Sequence, residues 1–157
     1  MKKIIIIGAG AMGSAFAVPC VDNKNDVTIV GTHLENDLIE KIKSNDQIHP
    51  TLKTKLSSEV KFEKFEKLQN ILDQDLDIIV CGVSSIGIEW FVKQISKKYK
   101  KGIPIILLTK GLSILDNELT TLSDKIKNLL EKDGHSEINI SAIKGPCLAA
   151  GLANKMR

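Results

Sequence analysis

The sequence lacks the residue patterns that mark most specialised sites. Its three cysteines, Cys20, Cys81 and Cys147, are odd in number and widely spaced, with no C-x-x-C pair among them. Zinc and dithiol redox work are therefore not expected, and free thiols in a reducing compartment are. The net charge is only +3 and is spread along the chain, so nothing demands nucleic acid or an acidic membrane surface. The densest basic stretch, Lys97, Lys98, Lys100 and Lys101, reads as a solvated helix end with cations near its negative pole. The apolar start, Ile4 to Ile7, is far too short for a membrane span or a signal peptide, and no targeting segment is visible. A cytoplasmic location is the expectation. Internal repeats, linkers and low-complexity segments are also missing. What remains is a chain of 157 residues with 43% hydrophobic and 26% charged content, enough for one domain with a real core.

The most informative stretch runs from Lys3 to Phe16, KIIIIGAGAMGSAF. Ile4 to Ile7 reads as a strand buried on both faces of a parallel sheet. Gly8, Gly10 and Gly13 follow in the spacing G-x-G-x-x-G. The first glycine permits a tight turn, the second lets a pyrophosphate approach the backbone, and the third lets the new helix pack closely on the sheet. The helix opening there aims free N–H groups and its positive dipole end at the phosphates. The pattern follows a strand and opens a helix, which is the context a dinucleotide site requires.

The rest alternates strand and helix signals. A helix over Ala11–Val21 and a strand over Val27–Val30 complete a β-α-β unit. An acid at the end of that second strand would grip the ribose 2′-OH and favour NAD. Gly31, Thr32 and His33 stand there instead; Glu35 comes late and reads as the start of the next helix. The choice between NAD and NADP stays open, with Thr32 and His33 nearest the ribose. Leu34, Leu38, Ile39 and Ile42 recur at helical spacing until His49-Pro50 breaks the pattern, and Leu52–Ser58 reads as irregular. Val60 and Phe62 suggest a short strand, followed by a helix with Phe65, Leu68, Ile71 and Leu72 inward. Leu76–Gly82 is another buried strand; Val83 and Ser84 after it fall beside the cofactor, with the serine hydroxyl as a helix cap. Ile103–Leu108 is a further strand, stopped by Thr109, Lys110 and Gly111. A lysine at the carboxyl end of a central strand is placed to hold a substrate oxygen or phosphate. Leu119, Leu122, Ile126, Leu129 and Leu130 mark a helix, and Ile138–Ile143 the last strand. Gly145 and Pro146 then read as the cap and first position of another helix, a second anion-ready terminus. The fold class is α/β: a Rossmann-type, doubly wound, mostly parallel sheet with helices on both faces.

Three motifs thus occur in fixed order: GAGAMG at Gly8–Gly13, LLTKGL at Leu107–Leu112 and KGPCLA at Lys144–Ala149. With the Val83-Ser84-Ser85 turn, they make the chain resemble, over essentially its whole length, the N-terminal domain of the soluble nicotinamide-dependent glycerol-3-phosphate dehydrogenases. The resemblance implies interconversion of glycerol 3-phosphate and dihydroxyacetone phosphate with NAD or NADP. It places Gly8, Gly10, Ala11, Met12 and Gly13 around the pyrophosphate and Thr32 on the adenosine side. Lys110 matches a lysine that touches both cofactor and substrate. Gly145 and Cys147 match positions lining the substrate site, and Ala149 a further cofactor contact.

Departures from the family pattern are informative. Cys147 stands where a Ser or Thr is usual, and a thiol is the weaker donor. Gly151 replaces a common acid. The family also has a helical second domain with the lysine that serves as general acid/base, and the chain reads as truncated before it. Residues 1–143 are then the dinucleotide-binding domain and 144–157 the start of a connection. No substitute base offers itself, because His33, His49 and His135 read as loop residues away from the three motifs. The chain alone is expected to bind cofactor and turn over little, with an apolar seam at Leu148, Leu152 and Met156 open to self-association. The competing expectations are another GxGxxG reductase, such as a ketopantoate reductase, and a non-catalytic nucleotide-sensing module.

Overall fold

The computed structural model describes residues 1–143, 145 and 147–156. Its strands are β1 (Lys3–Ile7), β2 (Asp26–Val30), β3 (Ile48–His49), β4 (Thr54–Lys55), β5 (Lys61–Glu63), β6 (Ile78–Cys81), β7 (Ile105–Leu107), β8 (Leu112–Leu115), β9 (Glu118–Thr121) and β10 (Ile140–Ala142). Its α-helices are α1 (Ala11–Asp22), α2 (Asn36–Ser44), α3 (Leu68–Leu72), α4 (Ile88–Ser96), α5 (Leu122–Lys132) and α6 (Ala149–Ala153).

The isoleucines of β1 divide between two apolar layers. Ile5 and Ile7 join Leu68, Phe91, Ile95, Ile126 and Leu130, whereas Ile4 and Ile6 join Val18, Val21, Ile39 and Ile42. Successive strand side chains point to opposite faces, so a strand covered on both sides needs an unbroken apolar run. Helices α1 and α2 cover one face; α3, α4 and α5 cover the other.

Six strands form the main sheet in the order β10-β7-β6-β1-β2-β5, and every adjacent pair is parallel. Taken in chain order these strands run sixth, fifth, fourth, first, second, third, the order of the dinucleotide-binding fold. The winding reverses between β1 and β6. The register sets Val30, Ile7, Cys81, Leu107 and Ala142 in one row across the sheet. All five turns that follow these residues therefore leave at the same rim.

Four expectations need correction. Helix α2 stops at Ser44, because Asp46 and Gln47 take positive φ values of 49° and 58°, and Leu34 stays outside it, exposed. The stretch Leu52–Ser58, read as irregular, instead holds β4, which pairs antiparallel with β3 at the expected helix break. Leu119 lies not in a helix but in the β8–β9 hairpin, whose turn residues Asp116 and Asn117 have φ 51° and 66°. Two consecutive positive-φ positions make the turn that matches strand twist, and Asp and Asn tolerate that conformation best among non-glycine residues. Helix α5 begins only after Thr121, whose hydroxyl accepts from the Asp124 N–H at 3.1 Å. Finally, the last helix starts at Ala149 with Leu148 as its cap residue, so Gly145 caps nothing; Lys144 and Pro146 lie outside the described residues. Helix α6 packs back on the domain through Ala153, Ala15 and Leu52, with Leu152 partly covered. Leu148 and Met156 remain exposed, so the expected seam is reduced to these two.

The basic stretch is a solvated face: Lys98 pairs with Asp73, Lys100 with Asp75 and Lys101 with Glu137, all well exposed. Such exposed pairs contribute little to stability. Among the described residues no helix is long and apolar enough to cross a membrane, and no three His, Cys, Asp or Glu gather as metal ligands.

Burial pushes the Cys81 thiol up to about 12 and the Cys20 thiol up to about 11. Only the thiolate is a good nucleophile, so alkylation of the folded chain at pH 8 should label Cys147 first and the other two only after unfolding. Mass mapping of the modified peptides checks this. Because both folded values are raised, the unfolded state sheds these protons first, and stability is lost as pH rises above about 9.

Candidate functional site

The first turn at the common rim follows β1. Gly8 has φ 112°, and its N–H donates to the Val30 carbonyl at 2.9 Å. A Cβ on Gly8 would sit 2.7 Å from the Gly82 carbonyl, so the turns after β1 and β6 pass in direct backbone contact. A Cβ on Gly13 would sit 2.2 Å from the Gly8 carbonyl oxygen, which is how closely α1 presses on the turn it leaves. Gly10 is the N-cap of α1, in extended conformation. The first-turn amides of α1 have no partners within the helix and face the rim.

The peptide between these glycines is fixed from three directions. The buried His49 ring sets Nε2 3.0 Å from the Ala9 carbonyl oxygen, and the buried Ser14 hydroxyl donates to the same oxygen at 2.9 Å. The Ala9 N–H donates to Glu35 Oε2 at 3.0 Å, and the Thr32 N–H donates to the same carboxylate oxygen at 2.8 Å. Sequence reading set Glu35 aside as a helix start and His49 as a remote loop residue; both touch the glycine-rich turn. Glu35 does occupy the N-cap position of α2, but its side chain caps nothing there and reaches across to the first turn. His49 is brought in by the β3–β4 hairpin, which folds a stretch 40 residues downstream under Ala9.

The remaining turns are tied in sequence. The Thr109 hydroxyl donates to the Val83 carbonyl, joining the turn after β7 to the turn after β6. Lys110 Nζ donates to the Gly145 carbonyl at 2.5 Å, joining the turn after β7 to the turn after β10. From Glu35 to Gly145, five strand-end turns form one continuous rim.

Beside that rim lies an open cavity of about 520 Å³, lined by residues that include Gly10, Thr32, His33, Glu35, Ser84 and Trp90. Val83, Gly82, Leu34, Ile86 and Gly87 complete it. His33, Trp90 and Phe65 form an aromatic group, with ring centroids 5.2 to 6.0 Å apart. Leu34 and Ile86 stand exposed at the mouth. An aromatic floor with an apolar mouth suits a flat heterocycle.

Gly10, Thr32, Val83 and Ser84 thus meet in one cavity, with Gly8 and Gly13 directly behind. Ser84 is at the cap position of a short 3-10 turn, yet its hydroxyl makes no cap bond. Met12 packs against the core, and Ala11 faces the α6 contact. Lys110 and Gly145 meet farther along the rim, and Cys147 is half-buried nearby in sequence. Ala149 is not in the cavity; it packs in the group around Ala15 and Leu52. Glu35, Trp90, Leu34 and Ile86 were missed as site residues. For Glu35 the signal was present: an acid a few residues past the second strand.

The family described as NAD-dependent glycerol-3-phosphate dehydrogenase N-terminus matches residues 3–157. The chain belongs to that family. It is 35% identical over 153 residues to the NADP(+)-dependent glycerol-3-phosphate dehydrogenase of Archaeoglobus fulgidus, and 33% identical over 156 residues to the glycerol-3-phosphate dehydrogenase [NAD(P)+] of Mesoplasma florum. Each match covers 98% of this chain and 44% of the relative, so the chain spans under half the length of these proteins. Among solved structures, the glycerol-3-phosphate dehydrogenase of Coxiella burnetii superposes with a TM-score of 0.75 at 18% identity, over 98% of this chain and 43% of that one. That likeness establishes the dinucleotide-binding fold; the family and the relatives favour the dehydrogenase reading over another reductase or a sensor.

Proposed function

We propose that this chain is the cofactor-binding half of a cytoplasmic enzyme that interconverts glycerol 3-phosphate and dihydroxyacetone phosphate with NAD or NADP. The observation that carries the reading is the continuous rim: the glycine-rich turn, the Thr109–Lys110 turn and Gly145 are bonded into one edge beside an adenosine-sized cavity. The pyrophosphate sits on the amides at the start of α1, contacted by Gly10, Ala11, Met12 and Gly13. The adenosine enters the cavity past Thr32, Val83 and Ser84. Lys110 spends one of its three N–H donors on Gly145 and has two left for a substrate oxygen, where its charge orients and polarises the reacting carbonyl. Gly145 and Cys147 flank the substrate, the thiol giving a looser contact than a hydroxyl. Ala149 touches cofactor only if the chain after β10 rearranges when nucleotide binds. Proton transfer falls to the part of the relatives' length that this chain does not span, and the exposed Leu148 and Met156 offer a surface for packing against that part.

Trp90 is the one tryptophan in the sequence and lines the cavity, which gives a direct readout. NADH or NADPH added to the 157-residue chain should quench its emission saturably, with negligible reduction of dihydroxyacetone phosphate. Fusion to the second domain should restore turnover. No saturable change with either nucleotide would defeat the cofactor reading; rapid turnover by the isolated chain would defeat the two-domain part.

A further inference from the structure

The position of Glu35 goes beyond cofactor binding as such. We infer that Glu35 selects the nicotinamide cofactor, so that this chain takes NAD and rejects NADP; the inference rests on the cofactor reading above and refines it. The Glu35 carboxylate is half-buried in the wall of the adenosine cavity. Its Oε2 accepts two backbone N–H groups, from Ala9 at 3.0 Å and from Thr32 at 2.8 Å. Two bonds to rigid backbone from two different turns hold the carboxylate in place. The other oxygen, Oε1, would lie 3.8 Å from a Cβ built on Gly10, so it is over the glycine where the diphosphate and its ribose must pass.

A carboxylate oxygen in that place accepts from a ribose hydroxyl, and NAD offers one at the 2′ position. NADP offers a phosphate there, with up to two negative charges and no donor when fully ionised. Recognition of a 2′-phosphate calls for Arg or Lys. Among the described residues lining this cavity there is neither; His33 is the sole basic side chain. The phosphate would therefore meet a fixed anion with no neutralising partner. Repulsion between close like charges, even well solvated, is worth about tenfold or more in affinity.

The sequence hid this because the acid stands five residues after Val30 rather than at the strand end. The bend through Thr32, where the Glu35 N–H donates to the Thr32 carbonyl at 2.9 Å, turns the side chain back toward β1.

The test titrates the 157-residue chain with NADH and NADPH by Trp90 emission, and repeats it with Glu35→Gln. Glutamine keeps an acceptor for the Ala9 and Thr32 amides and removes the charge. The unchanged chain should bind NADH at least about tenfold tighter than NADPH. In E35Q the ratio should fall to within about threefold, mainly because NADPH binds more tightly. Competition by adenosine 5′-phosphate against adenosine 2′,5′-bisphosphate isolates the ribose end and needs no variant; the first should compete at least about tenfold better. Equal affinity for the two cofactors, a preference for NADPH, or undiminished discrimination in a folded E35Q would each overturn the inference while leaving cofactor binding intact. Failure to bind either nucleotide would overturn both.

Discussion

Gly13→Ala is expected to abolish saturable nucleotide binding and to cost about 3 kcal/mol or more of stability. The added methyl would meet the Gly8 carbonyl oxygen at 2.2 Å, and that atom belongs to backbone that has no room to give. Gly8 itself is held by the Val30 carbonyl and by contact with Gly82, so the turn does not retreat. The strain must instead push α1 off the sheet, and α1 supplies Ala17, Val18 and Val21 to one of the two core layers. Overpacking of a filled core commonly costs 1–3 kcal/mol, and contact with fixed backbone falls at or above the top of that range. Gly10→Ala is the informative control. Its methyl meets nothing nearer than Glu35 Oε1 at 3.8 Å, so the fold should tolerate it within about 1 kcal/mol. Binding should still weaken, because the methyl fills the space through which the diphosphate approaches. Thermal melts and NADH titrations on the two variants then separate packing from ligand access. An unchanged melting temperature in Gly13→Ala would refute the close approach of α1 to the turn.

That contrast also shows what could be read directly from the residues. The glycine spacing and the four isoleucines report local requirements, a tight turn and a doubly buried strand, and each is written in consecutive residues. Strands β1, β6 and β7 follow from the same kind of signal, short apolar runs next to helical patterns, whereas β5 (Lys61–Glu63) and β10 (Ile140–Ala142) mix apolar with polar or charged residues. What escaped depends on contacts between distant segments. His49 sits beside a proline and reads as a helix breaker; nothing local says that the β3–β4 hairpin will fold it under Ala9. Glu35 is off the expected position by several residues, and its reach depends on the bend at Thr32. The β8–β9 hairpin was legible in principle. Leu112 and Ile114 alternate with Ser113, and Leu119 is followed by Thr120, about Asp116-Asn117, with the apolar residues on the exposed side, but Leu119 also fits the helical spacing that continues into α5. The helix pattern won because it was longer.

His49→Ala should be the second most damaging substitution, through buried hydrogen bonds rather than a clash. The ring is 1% exposed and makes three contacts. Its Nδ1 accepts from the Thr51 and Leu52 N–H groups at 3.2 and 3.3 Å, which makes Nε2 the nitrogen that carries hydrogen and donates to the Ala9 carbonyl. Alanine leaves two amides short of an acceptor and opens a void beneath the glycine-rich turn, a loss of about 3 kcal/mol. The Ala9 carbonyl keeps the Ser14 hydroxyl, and the Ala9 N–H keeps Glu35, so the turn is loosened rather than released. Its amides would then no longer be preset for a diphosphate, and NADH affinity should fall by about tenfold. His49→Asn divides the two effects. The shorter side chain still offers an oxygen to its neighbouring amides, as asparagine does in turns, but does not reach Ala9. It should recover roughly half of the lost stability and little of the lost affinity. Denaturant midpoints and NADH titrations on both variants measure this. If His49→Ala unfolds more easily but binds NADH as tightly as before, Ser14 and Glu35 alone suffice to hold the Ala9 peptide, and the histidine serves only the hairpin that carries it.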